Sequence, residues 1–202
     1  MLRFSTFVRD LGSMGKTLMF VTALFILGIA VGWYSTGALA EIIDKQMGGI
    51  REIGESLSQS SNPKWSFFVF IFFNNSIKAV AMIFLGLLLG VLPLLFLLIN
   101  GMVVGFLVHS SMEQGNSLFD LIVKGLLPHG IIEIPAIIIA CAYGIQMGLL
   151  VMGSLGGKGS GEVGRRWQNM FRKAVTGSVW IVILLFVAAI IESTITYTLM
   201  RG

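Results

Sequence analysis

The chain has 202 residues, 55% of them hydrophobic and only 12% charged, with a mean hydropathy of +0.89. A soluble domain carries about 25% charged residues, so the composition excludes a soluble globular protein and defines an integral membrane protein. The single cysteine, Cys141, excludes an intrachain disulfide and any cysteine-based metal cluster, and the net charge of +4 reads as an orientation signal rather than affinity for nucleic acid.

About 20 consecutive apolar residues cross a bilayer, and the chain offers five such segments. The N-terminus, MLRFSTFVRDLGSMGK, is basic ahead of the first apolar run, as in a signal peptide. That run exceeds the roughly 7–15 residues of a signal core and no small-residue cleavage site closes it, so it reads as a retained first span over Thr17–Ala40. Glu41–Ser61 carries Ile43, Met47, Ile50 and Leu57 at helical spacing with charges between them. It predicts an external amphipathic helix with a soft break at Gly48-Gly49, followed by SQSSNP as a loop.

The second and third spans, Trp65–Gly90 and Val91–Met112, follow each other with hardly a loop. Gly90 and Pro93 mark the turn, because proline lacks the amide donor, and a tight antiparallel hairpin is expected. Ser117–Leu127 (SLFDLIVKGLL) is too short to span. Asp120 and Lys124 share its polar face, so it reads as an interfacial or re-entrant helix, with the interfacial form the simpler. The fourth span covers Gly130–Gly153. Gly156–Lys173 is glycine-rich and basic but lacks the GxxxxGK[ST] pattern and follows a membrane helix, so a phosphate-cradling loop is rejected. It reads as a flexible connector whose Arg165, Arg166, Trp167, Arg172 and Lys173 sit against anionic headgroups. The fifth span is Ala174–Met200. The whole, residues 1–202, reads as one polytopic membrane domain.

Orientation follows from the loop lysines and arginines. With the N-terminus in the cytoplasm, eight basic residues fall inside (Arg3, Arg9, Lys16, Lys158, Arg165, Arg166, Arg172, Lys173) and five outside (Lys45, Arg51, Lys64, Lys124, Arg201). Six of the ten acids fall outside. The expectation is a multi-pass protein of the cytoplasmic (plasma) membrane, N-terminus in and C-terminus out.

The first four spans each contain a GxxxG: Gly28/Gly32, Gly86/Gly90, Gly101/Gly105 and Gly144/Gly148. Small residues at this spacing let helix backbones approach in lipid. Intrachain packing is the simpler use of any one pair, and four pairs together predict a compact bundle.

Polar residues inside the spans are few: Asn74, Asn75 and Lys78 in the second, Asn100 in the third, His129 and Glu133 at the fourth, and Glu192 in the fifth. A charge at the centre of a spanning helix costs roughly 2.5–3.5 kcal/mol on insertion scales, so such a residue faces protein or water. Stepping from Glu133 by about 3.6 residues meets His129, Ala136, Ala140 and Gly144, a small-residue face suited to another helix or a narrow cavity. Lys78 is the one base deep in a span, which makes it the natural counter-ion of Glu133, with Asn74, Asn75 and Asn100 completing the hydrogen bonding. Glu192 lies near the outer end of its span, where interfacial solvation accounts for it.

Three readings of this constellation compete: a buried network that fixes helix register, a substrate or proton path using His129 and Glu133, and a metal or catalytic site. The last is weakest. His-x-x-x-Glu supplies two ligands where at least three are needed, and His109 stands off round its helix. No HExxH, GxSxG or Ser–His–Asp order occurs. No metal or other cofactor is expected.

FFNNSIKAVAMIFLGLLLGVLPLLFLLINGMVVGFL, followed by LPHGIIEIPAIIIA, resembles the stage II sporulation protein M family. The resemblance rests on Asn74-Asn75, on Asn100-Gly101 with Gly105, and on Pro128-His129-Gly130 with Glu133 and Pro135. It covers about Phe72 to Gly153. It implies a polytopic inner-membrane protein that, in spore formers, acts as a membrane scaffold beside peptidoglycan-remodelling partners. The expectation is thus an all-α bundle of five transmembrane helices, self-associating, non-enzymatic, a scaffold or accessory subunit of a cell-envelope complex. The alternative is a small transporter, channel or permease subunit built on His129, Glu133 and Lys78. Expected partners are membrane lipids, further copies of the chain and envelope proteins.

Overall fold

Within a bilayer core no water is available to the backbone, so an apolar run must satisfy its own amides as a helix. The structure, a computed structural model, describes residues 2–115, 127–155 and 160–199. Seven helices and no strand occur among them: α1 (Phe4–Ser13), α2 (Gly15–Trp33), α3 (Gly37–Ser58), α4 (Pro63–Leu85), α5 (Val91–Glu113), α6 (Leu127–Leu155) and α7 (Ser160–Leu199). Five of these are long and apolar enough to cross a membrane, over Gly15–Trp33, Pro63–Leu85, Val91–Glu113, Gly130–Leu155 and Glu162–Thr194. The short helix expected at Ser117–Leu127 lies outside the described residues, save Leu127, which opens α6.

The helices are not equally exposed. In α6, 56% of the spanning window is buried, against 22% in each of α2, α4 and α5. α6 is therefore the central helix. Ala136, Ala140, Cys141, Ala142, Tyr143 and Met147 pack inward from it against Val21, Ile83, Leu97, Ile181 and Leu185. α2 and α5 lie together on one side of α6, and α4 and α7 on the other. A second cluster joins α4 to α7, where Phe67 and Ile71 meet Ala189 and the rings of Phe68 and Phe72 stand edge-on to Phe186 at 5.5 and 5.4 Å.

Four boundaries differ from expectation, each for a physical reason. The first span stops at Trp33, seven residues early, because the chain opens through Tyr34–Thr36 (Thr36 is extended, φ −135°, ψ 167°) before α3 begins. α3 then runs through Gly48 and Gly49 without the expected break. Each glycine costs about 1 kcal/mol against alanine in a helix, and the helix formers around the pair offset this. Ile43 anchors the helix as a buried residue.

α4 ends at Leu85, and residues 86–90 form the turn into α5. Leu89 (φ 57°) and Gly90 (φ 75°) take left-handed conformations there. Pro93 falls in the first turn of α5, where no amide donor is required. The two helices then part. α5 lies along α2, and the lateral hairpin packing expected between α4 and α5 does not form. The connector expected at Gly156–Lys173 is also corrected: from Ser160 onward it is helical and continuous with the last span. Val163, Trp167, Met170 and Ala174 recur at helical spacing, and Met170 and Ala174 are buried. Arg166 Nη2 pairs with Glu162 Oε1 one turn earlier at 2.7 Å. This periodicity outweighs the glycines.

α1 is the amphipathic helix that composition alone does not separate from the first span. It lies against α7 between Lys173 and Trp180. Phe7 is buried, its ring stacked 6.3 Å from Trp180, and Phe4 meets Trp180 edge-on at 4.9 Å. Trp180 Nε1 donates to the Leu2 carbonyl at 3.1 Å, and Lys173 Nζ to Ser13 Oγ at 2.9 Å with Asp10 3.8 Å away. The first and last helices are thereby tied together.

Candidate functional site

Glycine sets the spacing on both sides of α6. Gly28 and Gly32 of α2 meet Gly101, Met102 and Gly105 of α5 backbone to backbone. A Cβ on Gly28 would stand 2.6 Å from the Leu98 carbonyl oxygen, and one on Gly32 or Gly105 would fall inside the facing backbone. Gly86 and Gly90, in the turn that follows α4, meet Gly144 and Gly148 of α6 in the same way, and a Cβ on Gly144 would also strike the Pro93 ring. The four GxxxG pairs thus form two seams, α2 with α5 and α4 with α6. Gly177 of α7 leaves room for Tyr143: a Cβ there would stand 2.6 Å from its ring.

Outward of these seams, between α2, α5 and α6, is a partly open cavity of about 150 Å³ lined by Phe25, Asn100, Val104, Gly130, Glu133, Ile134 and Ile137. Glu133 and Asn100 are its polar groups. Glu133 is half-buried. Asn100 Nδ2 donates to the Phe96 carbonyl at 2.7 Å, back along its own helix. Asn100 and Glu133 thus line the same cavity from α5 and α6. Gly130, one turn before Glu133 on α6, leaves the cavity its width.

The other polar residues of the spans stand apart from it. Lys78 is exposed on the outer face of α4 beside Ile77, and makes no ion pair with Glu133. The pairing expected inside the chain is corrected on that ground. α4 turns Ala79, Ile83 and Gly86 toward its neighbours and thereby sends Lys78 outward. Asn74 and Asn75, half-buried, bond to each other at 3.1 Å and do not line the cavity. His129 belongs to the first turn of α6, and its side chain lies outside the described residues. His109 meets Trp33 edge-on at 5.3 Å and Glu113 at 4.0 Å. Glu192 is half-buried beside Ser193. No three His, Cys, Asp or Glu side chains gather as metal ligands do among the described residues.

One interhelical polar pair has no counterpart among the expected sites. Gln146 Nε2 of α6 donates to Thr17 Oγ1 of α2 at 2.8 Å. Gln146 also lines a second cavity of about 220 Å³ with Met14, Leu150, Arg166, Asn169, Met170 and Lys173. The signal for it was present, since a glutamine in an apolar span seeks a partner. Attention to charged residues passes it by.

Five spanning helices, two glycine seams and one carboxylate at an intramembrane cavity define a multi-pass α-helical membrane protein. The model of the family described as stage II sporulation protein M matches residues 21–197, and the chain belongs to that family. The match extends on both sides beyond the Phe72–Gly153 stretch in which the resemblance is most visible. Neither the curated proteins nor the solved structures contain a match.

Proposed function

We propose that the protein is a non-enzymatic scaffold or accessory subunit of a cell-envelope complex, held in the plasma membrane with its N-terminus in the cytoplasm and its C-terminus outside. The observation that carries this reading is the closure of the bundle between its two cavities. From Ala136 to Gly148, α6 is buried save for partial exposure at Ile138, Ile139 and Gln146, and both glycine seams close backbone to backbone alongside it. The cavity at Glu133 and the cavity at Gln146 share no lining residue. A bundle packed in this way favours rigid anchoring over passage. The orientation is supported by the gathering of Arg3, Arg9, Lys16, Arg165, Arg166, Arg172 and Lys173 at the end where α1 meets α7.

One observation favours transport as the second reading. The Glu133–Asn100 cavity, at about 150 Å³, has space for about five waters at roughly 30 Å³ each, and a hydrated carboxylate can carry protons. Reconstitution separates the two. Purified protein in liposomes is expected to show no flux of protons or small ions across about pH 5–8, where histidine and a buried carboxylate titrate. Glu133→Gln is expected to act through thermal stability or assembly alone. A reproducible flux that Glu133→Gln abolishes in a folded protein overturns the scaffold reading.

A further inference from the structure

Lys78 lies within the span Pro63–Leu85, yet its side chain is exposed on the outer face of α4. Phe73 and Ile77, 54% and 64% exposed, flank it, and Asn74, half-buried, stands one turn before it. A lysine and an asparagine one turn apart are a poor surface to show to lipid, because ionisable residues in spans face protein or water. Snorkelling does not resolve this well. The inner end of α4, at Leu85, is seven residues away, about 10 Å along the axis, and helical side chains lean the other way, toward the N-terminus.

The depth of Lys78 follows from the seam between α4 and α6. Gly86 meets Gly144, and Gly90, in the turn after α4, meets Gly148, so the two segments run in the same direction past this contact. Lys78 lies eight residues before Gly86, and Glu133 eleven before Gly144. Counted back along each helix from the Gly86–Gly144 contact, the two charges differ by three residues, about 4.5 Å of helix rise. Both side chains lean toward the same end, and the lysine, being longer, gains on the level of the glutamate. They sit on different faces of one chain, Lys78 outside α4 and Glu133 at the partly open cavity between α2, α5 and α6.

We infer that Lys78 meets Glu133 of a second copy, with the Phe73–Lys78 face of α4 docked over the mouth of the Glu133 cavity. Copies inserted in one orientation are related by rotation about the membrane normal, which preserves depth. Only groups at matched depth can then meet, and these two are matched and opposite in sign. A carboxylate has about four lone-pair sites and accepts from more than one donor, so the contact adds to whatever Glu133 binds within its own chain. Asn74 and Asn75 lie on the docking helix to bond with the second copy. The contact depends on neither the scaffold nor the transport reading.

The test is cross-linking between differently tagged copies in one membrane. Lys78→Cys and Glu133→Cys chains, co-expressed and oxidised with copper phenanthroline, are expected to give a mixed disulfide dimer severalfold above either variant alone. Cys141 is buried and supplies the background seen with the unmodified chain. Should Glu133→Cys fail to accumulate, Ile134→Cys at the same cavity replaces it. In parallel, single-molecule photobleaching in lipid is expected to show assemblies of the unmodified chain, a severalfold fall with Lys78→Glu, and recovery in the exchanged pair Lys78→Glu/Glu133→Lys. A monomer in lipid, cross-links confined to Lys78→Cys with itself, or no gain in the mixed pair each overturn the proposal and leave the lysine facing lipid.

Discussion

Gln146 stands on the most buried helix of the bundle and reaches Thr17 of α2 across 2.8 Å, bonding two helices that no glycine seam joins. In lipid such a bond has no water to compete with it, yet measured values stay modest because the separated helices find other partners. Gln146→Leu and Thr17→Val are each expected to lower stability by about 0.6–2 kcal/mol, read from thermal unfolding in one detergent. The double variant should lose little more than the larger single loss if the two groups act on each other. Strictly additive losses would remove the bond from the account. Gln146 carries no charge and belongs to no motif, and its partner is 129 residues away in the chain, so neither end of the bond points to the other in the sequence. Glu133 and Asn100 were each visible as polar residues in apolar runs. That they share a cavity, while Lys78 does not, depends on the rotation of α4, and no periodicity within α4 sets that rotation.

The helices pair by surface shape. Apolarity does not select a partner in a bilayer, since lipid tails are as apolar as leucine. What selects it here is glycine opposite glycine, which brings α5 to α2 and α6 to α4 and leaves the chain neighbours α4 and α5 joined only at their turn. Gly86→Ala drives a Cβ into the backbone of Gly144 and is expected to cost about 1–3 kcal/mol or more, because no side-chain rotation relieves it. Gly153→Ala, on the same α6, meets nothing within 4 Å and is expected to gain up to about 1 kcal/mol from helix propensity. Unfolding midpoints of the two variants check this, and equal shifts in both would show that the seam is not backbone-tight. The extension of α7 back to Ser160 is the other lesson at this scale. Glycines at 161 and 164 suggest a loop, while Val163, Trp167, Met170 and Ala174 keep the period of a helix that has a surface to lie on.

Over the whole molecule the charges are unevenly divided between the two ends of the bundle. α1 and the start of α7 carry the arginine and lysine cluster, and Lys173 ties the two together through Ser13 and Asp10. α3, with Glu41, Asp44, Glu52 and Glu55, lies at the other end against α4 and α5. Single cysteines introduced as Ser160→Cys and Ser58→Cys are therefore expected to label from opposite sides, position 160 from the cytoplasm and position 58 from outside, with buried Cys141 silent. Labelling of position 160 by an impermeant reagent from outside would invert the topology.

What the sequence by itself determined is whatever runs along the chain: the five apolar lengths, the sign of the charge between them, the glycines at four-residue spacing, and the PHGxxExP stretch that leads to the family. These are properties of single segments, and a segment's transfer into lipid needs no partner. Which helix lies on which, the placing of Glu133 with Asn100 and the exposure of Lys78 on the far side of α4 were decided only in the tertiary structure. Each depends on two surfaces fitting at once, and the fit of Gly86 to Gly144 or of Gly28 to Gly101 is a relation between segments that neither one contains alone.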